Sequence, residues 1–465
     1  MLLKLAFRSL AARPVRSAVL AIGFGLGVGV MAVLLGVGDV ILDQARAPAL
    51  VGGGDVRIGS AAGRIANGRF VLYQLRPNGP FGTAVRALAP SIRDTVYLRH
   101  DGRSLPVAMH GSIPSTDRAL GSNEIASIPA WVDSAGDRRW LDLDASSVLR
   151  GIDRFHPVPD VPARAGSWAE WLYFNGIARD GRFYLTFLAG PVDASGRRSL
   201  IARLQLERKG VMSAYSARRE IDPAALIEDA PDLTVETTTV RLTGVDYRIH
   251  LDLPSESGRS RATGDIVVHA DPDRSVPPFV LEGAGGWLSG YTVPVTSGTL
   301  DGSLTVATET INFSGGTGYH DHNWGFWEGV SWQWGQVQHE GISFVYGRVR
   351  PPADAADPQH VPGFLAVLGP SGPLAFSTDA TIDETNAPGS ERPSRIVVRA
   401  AGESIQATLT LSVDQTTITP MTRGRVGDGL DFLQMRARYE VQAQVGKKQF
   451  SFAAPGSAET FRRER

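Results

Sequence analysis

Gly316 to Gly335 read GTGYHDHNWGFWEGVSWQWG, and this stretch decides the fold. Extended backbone sends successive side chains to opposite faces. His320, His322 and Trp324 then share one face, and Tyr319, Asp321 and Asn323 share the other. Trp324, Trp327, Trp332 and Trp334 crowd the same stretch, with Trp332 and Trp334 on a common face. A following strand over Ile342 to Arg348 brings Phe344, Tyr346 and Arg348 to one side. Paired, these strands predict an aromatic chamber with His322, Tyr346 and Arg348 as its polar groups. A concave aromatic site with few polar groups is the usual anatomy of a ligand pocket. Aromatic faces also stabilise a cation, including a developing carbocation.

Outward from this stretch the same period of two recurs. Leu200, Ala202, Leu204 and Leu206 alternate with polar or outward residues, as do Tyr247 to Leu253, Ile405 to Val413 and Tyr439 to Val445. Such alternation marks half-buried antiparallel strands. Gly, Pro and Asp turns separate them, which predicts a mainly β fold of two tandem barrels or sandwiches. The expected divisions are 46–127, 128–290 and 291–465. The first is a small α+β linker region, with a helix at Gly82 to Leu88 and a strand at Thr95 to Leu98. A short helix is expected at Ser146 to Leu149, and exposed loops at Pro351 to Pro362 and Asn386 to Pro393.

Composition narrows the function. The 465 residues carry 47 Lys and Arg against 48 Asp and Glu, so no basic excess points to nucleic acid. There is no cysteine, which excludes disulfides, thiolate metal sites and thiol nucleophiles. No G-x-S-x-G elbow occurs. His320, His322 and His339 are possible metal ligands, but no spacing rule supports a metal site.

Residues 1–45 are expected to be a basic cytoplasmic tip and one transmembrane helix. Ser17 to Gly38 is a run of 22 uncharged residues, long enough to cross a bilayer. Lys4, Arg8, Arg13 and Arg16 precede it, and Asp39 and Asp43 follow. The positive-inside bias predicts a single-pass inner-membrane protein with its N-terminus in the cytoplasm and its body outside. Gly23, Gly25, Gly27 and Gly29 suit packing on another membrane helix. A cleaved leader, with a small-residue site near Ala45-Arg46-Ala47, is the alternative.

The N-terminal text LAFRSLAARPVRSAVLAIGFGLGVG, followed by GGGDVRIG, resembles the first membrane helix of FtsX/MacB-type ABC-transporter permeases. The likeness extends weakly to LPVAMHGSIP at Leu105 to Pro114. It implies a permease front end joined to another body, with an ABC transporter permease or ATPase as partner.

Two further motifs carry a second resemblance. They are AEWLYFNGIARDGRFYLTFLAG, Ala169 to Gly190, preceded by DRFHPVPD at Asp153 to Asp160, and the His-Asp-His-Asn-Trp-Gly string already quoted. Together they resemble the hydroxyneurosporene synthase (carotenoid 1,2-hydratase) and AttH family, over about Ile128 to Glu459. That family implies two lipocalin-like β-barrels, an architecture shared with some fungal Diels–Alderases. It implies protonation of a terminal C=C bond followed by addition of water, without a cofactor.

On that resemblance His322, Trp324 and Tyr346 match the implied catalytic groups. Trp171, Tyr173, Asn175, His320, Asp321, Asn323, Trp327, Trp332, Trp334 and Arg348 are expected to bind ligand. Arg348 stands where the family has an aspartate, and arginine is a poor proton donor to an alkene. Asp321, Glu328 and Glu340 are the substitutes considered. A hydrogen-bond knot sealing the barrel junction is the other reading of His322 and Trp324. Strand pairing is the other reading of Glu170, Tyr173 and Asn175, and His156 reads as a loop or cap residue.

Two functions follow. One is a membrane-anchored, lipocalin-like binder of a hydrophobic isoprenoid or lipid beside an ABC transporter. The other is a cofactor-independent hydratase or isomerase acting on a polyene.

Overall fold

A computed structural model describes residues 56–59, 65, 67–82, 84–121, 130–421 and 430–463. The expected membrane span at Ser17 to Gly38 lies outside these residues. No helix among the described residues is long and apolar enough to cross a membrane.

The chain divides into two compact units. The smaller holds a hairpin of β1 (Ser91–His100) and β2 (Arg103–Ser112), followed by a helix at Pro114–Ala119. Asp101 and Gly102 make its turn with φ of 46° and 76°, the left-handed pair that a tight hairpin needs. The strand expected at Thr95 to Leu98 lies within β1. Gly82 to Leu88 is not helical where described.

The larger unit covers residues 66–86 and 139–465. Residues 66–86 therefore depart from the expected linker region. Their helix, Gly68–Leu75, buries Phe70 and Tyr73 in the same core as the first large sheet. The Gln74 amide donates to the Pro272 carbonyl at 2.5 Å, and Arg76 pairs with Asp273.

Two barrel-like sheets make up the rest, as the alternation predicted. The first runs through β3 (Trp168–Ile177), β4 (Gly181–Val192), β5 (Arg198–Arg208), β6 (Val211–Ile221), β7 (Leu233–Val235), β8 (Thr238–Thr243), β9 (Asp246–Pro254), β10 (Arg261–His269), β11 (Val276–Glu282), β12 (Leu288–Val306), β13 (Glu309–Asn312) and β14 (Thr317–Phe326). Its main order is β6-β5-β4-β3-β14-β12-β10-β9-β8-β7. The Tyr215–Ser255 bridge draws β6 toward the end of β9, so the sheet curls almost shut. Val148, Leu149 and Ile152, on the helix Ala145–Ile152, fill its interior together with Phe174, Phe187 and Tyr247.

The second sheet is a closed barrel of β15 (Ser331–His339), β16 (Ile342–Arg350), β17 (Gly363–Gly369), β18 (Gly372–Asn386), β19 (Pro393–Gly402), β20 (Ile405–Met421), β21 (Leu430–Val445) and β22 (Lys448–Arg463). Closure leaves no strand edge unpaired. Leu409, Leu411, Tyr439 and Val441 are fully buried inside it, the period-two pattern read in the sequence.

The passage between sheets falls at Trp327 to Val330, later than the expected break at 290/291. β14 is hydrogen-bonded between β3 and β12, so the decisive sequence stretch straddles both sheets. Hydrogen bonding of β12 and β14 into the first ladder moves the boundary.

Candidate functional site

β3 and β14 run antiparallel, pairing Trp324 with Glu170, His322 with Leu172 and Asp321 with Tyr173. Directly opposed residues share a face. One face of this pair therefore carries Glu170, His320, His322 and Trp324. The other carries Trp171, Tyr173, Asn175, Tyr319, Asp321 and Asn323. Each face builds a distinct polar cluster.

The first cluster closes on Asp153, the residue that caps the C-terminus of the helix Ala145–Ile152. Asp153 Oδ2 accepts from the Tyr247 hydroxyl at 2.9 Å and meets His320 Nε2 at 2.9 Å. Its Oδ1 lies 3.1 Å from His322 Nδ1. His322 Nε2 reaches Glu170 Oε1 at 3.0 Å. Glu170 also receives the His156 backbone N–H at 3.0 Å and meets His156 Nδ1 at 2.7 Å. His320 Nδ1 faces the Tyr173 carbonyl at 2.9 Å.

Asp153, Glu170, His320 and His322 are all fully buried. Burial alone would raise the Asp153 carboxyl, yet the two imidazoles together hold it down at about 2. Burial would lower His322, yet its bonds to Asp153 and Glu170 raise it to about 9. Glu170 is pulled below its ordinary value against its burial by His156 and His322. The knot is thus an imidazolium held between two carboxylates. A buried charge is tolerable only when paired and hydrogen-bonded in this way. The ligand atoms of His156, Glu170 and His322 lie within 4.8 Å of one another, a grouping that could accept a metal. Their mutual hydrogen bonds account for it without one.

The second cluster lies in the seam between the two sheets. On the closed barrel, Trp334 of β15 stands opposite Glu459 of β22, and Glu459 opposite Gln434 of β21. These three face outward, toward β3 and β14. The Trp334 indole N–H donates to the Tyr319 hydroxyl at 2.8 Å. Gln336 donates to Asn175 at 3.3 Å, and Gln434 to the Tyr173 hydroxyl at 3.4 Å. Trp332 donates to Glu459 at 3.3 Å. Trp171 packs on Trp327 and Trp332, with ring centroids 4.7 and 5.6 Å away.

Two carboxyl groups are enclosed here without an ion pair among the described residues. Asp321 Oδ1 accepts from the Asn323 amide at 2.7 Å, while its Oδ2 is buried with no hydrogen-bond partner. Burial raises Asp321 to about 7, tempered by the Tyr319 hydroxyl and the neighbouring imidazoles. Glu459 is pushed well above the carboxylate range, first by burial and then by Asp321. A cavity of about 10 Å³ lies between Tyr173, Asn175, Tyr319, Trp334, Ser457 and Glu459. That is close to the space of a single water. Carboxyls that keep a proton near neutral pH are poised as general acids.

The structure separates groups expected to meet. Tyr346 stands opposite Gly335, so it points into the closed barrel while Trp334 points out. It is buried there beside Tyr439, and burial raises its hydroxyl. The Arg348 guanidinium donates to the Pro358 and Gln359 carbonyls at 3.3 and 3.0 Å. His322, Tyr346 and Arg348 therefore do not share a chamber. The strand alternation that placed Phe344, Tyr346 and Arg348 together is real, but the adjoining strand presents its tryptophans to the opposite side. Trp327 seals the seam, its indole donating to the Ala169 carbonyl at 2.9 Å.

Asp153, Tyr247, Tyr319 and Glu459 were not singled out in the sequence. Asp153 and His156 do lie in the quoted DRFHPVPD, and His156 is a member of the knot. Glu459 had no local signal, because only barrel closure brings β22 beside β15.

The chain matches no protein-family model and none of the curated proteins. It is similar in fold to an AttH-type protein of Nitrosomonas europaea, at 14% identity and TM-score 0.43, over 66% of this chain and 99% of that one. CghA with Sch210972 overlaps at 12% identity and TM-score 0.43, over 66% and 94%. Kievitone hydratase of Nectria haematococca overlaps at 14% identity and TM-score 0.39, over 65% and 93%.

Proposed function

We propose that this protein is a cofactor-independent acid–base enzyme that protonates an unsaturated, apolar substrate at the seam and then hydrates or isomerises it. The observation that carries this reading is the buried pair Asp321 and Glu459, walled by aromatic rings and without an ion-pair partner among the described residues. Burying such groups unpaired costs stability, so their presence points to use. The carboxyl of Asp321 gives its proton to an alkene carbon. The cation that forms faces the indoles of Trp332 and Trp334. Water then adds, and its proton returns to the carboxylate; without water, loss of a neighbouring proton gives the isomer. His322 keeps a supporting place in this scheme, because its knot fixes β14 from behind.

Membrane anchorage, a body outside the cytoplasm and association with an ABC-type permease belong to the same proposal. They are supported by the charge pattern around Ser17 to Gly38. A second reading, a non-catalytic carrier of lipids, rests on that pattern too. The filled interior of the closed barrel counts against storage of a lipid there.

The test supplies lycopene or neurosporene to the full-length protein and follows products by mass spectrometry. Turnover that Asp321→Asn abolishes supports the enzyme. Stoichiometric binding with no product from either protein supports the carrier.

A further inference from the structure

The seam has an open end, which the chemistry above leaves unused. Phe279, Leu281 and Tyr291 wall it from the first sheet, and Val349, Phe364 and Phe376 from the closed barrel. Strand register agrees. Phe279 stands opposite Tyr291, and Tyr291 opposite Asn323, on the seam face of β14. Gly347 stands between Trp334 and Phe364, on the outward face of the barrel. Arg348, the next residue, turns to the other face with Tyr346. Among the described residues, the side chains that face this cleft are therefore uncharged.

The aromatic rings form a file. Phe279 meets Tyr291 at 5.6 Å between centroids, Tyr291 stacks on Phe364 at 5.3 Å, and Phe364 stacks on Phe376 at 5.7 Å. Phe279 and Phe376 are 41% and 49% exposed, so the outer part of the file is open to solvent. Large rings are seldom left so exposed in company. At the inner end Tyr291 and Phe364 both pack edge-on against Trp334, at 5.1 and 5.3 Å. Gly347 lets them close, since a Cβ there would fall 2.4 Å from Trp334 and 2.7 Å from Phe364. Trp334 also borders the cavity beside Glu459, so one indole divides the two spaces.

Tyr291 supplies the polar point. The residue is 5% exposed, and its hydroxyl makes no hydrogen bond among the described residues. A tyrosine buried this far usually finds a partner for its O–H. The oxygen is not sealed inside the protein, and the open space that Tyr291 borders is this cleft. Burial raises the hydroxyl, so it keeps its proton and stays a donor. The other rings of the file are hydrocarbon. One donor set in an aromatic wall matches a flat ligand that carries an oxygen acceptor.

We propose that this end of the seam binds an uncharged, conjugated molecule whose carbonyl oxygen accepts from the Tyr291 hydroxyl. The planar part of the ligand lies along the file between Phe376 and Phe279. The cleft is about 40 Å³, so it takes a ring or a short run of chain and leaves the remainder outside. Tyr291 stands opposite Asn323, which donates to Asp321, so the ligand is held on the wall that bears the acid. That this ligand is the substrate rests on the function proposed above; that it binds does not.

The probes are Prodan, a flat aminonaphthalene with one ketone, and 2-dimethylaminonaphthalene, which lacks the ketone. Each is titrated into the full-length protein in amphipol, and its fluorescence is read after subtracting that of amphipol alone. Tyr291→Phe should weaken Prodan about fivefold, the size of one neutral hydrogen bond, and leave the parent amine unchanged. Its melt should match that of the wild type, because the lost hydroxyl bonds nothing in the fold. Phe376→Ser should weaken both probes. Prodan binding that Tyr291→Phe leaves unchanged overturns the proposal, as does binding of both probes that Phe376→Ser leaves unchanged. Asp321→Asn should remove turnover while leaving the affinity for Prodan. The two claims can therefore fail separately.

Discussion

The imidazole of His156 lies flat against the indole of Trp324, with ring centroids 4.2 Å apart and planes 19° from parallel. On its other side the indole crosses the bare backbone of Gly290, where a Cβ would come within 2.2 Å of the ring. The ring is clamped between the two and has no slack. Gly290→Ala should force it off its seat and cost about 1–3 kcal/mol, the usual size of core overpacking. A denaturant titration should show a lower midpoint with an unchanged slope.

The knot behind Trp324 predicts a larger loss. His322→Ala strips the shared partner from Asp153 and Glu170 and leaves both carboxylates buried with fewer contacts. Removing one member of a buried ion pair costs about 3–5 kcal/mol. Urea unfolding at pH 6 should report a loss of that order; a change below about 1 kcal/mol would dismiss the knot as a structural element.

Across the strand, the adjacent residue should behave in the opposite sense. Asp321→Asn keeps the shape and removes an unpaired acid, so stability should hold or rise. Turnover should fall by about 100-fold or more, the ordinary contribution of a general acid. Thermal melts and product assays on the same preparation check the two halves together.

The shifted groups also set the pH dependence of stability. Asp153 titrates lower in the fold than unfolded, so its contribution is present above about pH 4 and is lost as pH falls through about 2. His322 titrates higher in the fold, so its contribution is complete below about pH 6.5 and is lost as pH rises through about 9. Asp321 is raised as well, so stability falls as pH climbs from about 4 to about 7. Stability should therefore peak on the acid side, near pH 4 to 5. Asp321→Asn should flatten the decline toward neutrality, which unfolding titrations across pH would reveal.

Much of this architecture was legible in the chain. The alternation over Tyr319 to Trp324 correctly divided the side chains between two faces, because β pleating has a fixed period. The strands at Leu200, Tyr247, Ile405 and Tyr439 followed from the same rule. What local pattern could not supply was which face meets which partner. Asp153 reaches His320 and His322 from a helix cap far upstream, and Glu459 meets the seam only through barrel closure. Tyr346 and Trp334 seemed natural companions, but a pairing of Tyr346 with Gly335 puts them on opposite sides of one wall. Aromatic residues announce a binding surface in sequence; the direction in which it opens is decided by long-range register.

The insertion of β14 between β3 and β12 bears on how the protein is made. Strand β3 leaves the ribosome about 140 residues before its second neighbour does. Through that interval its edge, with Glu170 and Tyr173 on it, has no ladder to join. The first sheet is completed only as synthesis of the closed barrel begins. A gene cut at residue 290 would deliver an open sheet with a bare edge, prone to pair with its own copies. The two barrels are therefore inherited as one indivisible product, however separable their strand lists look.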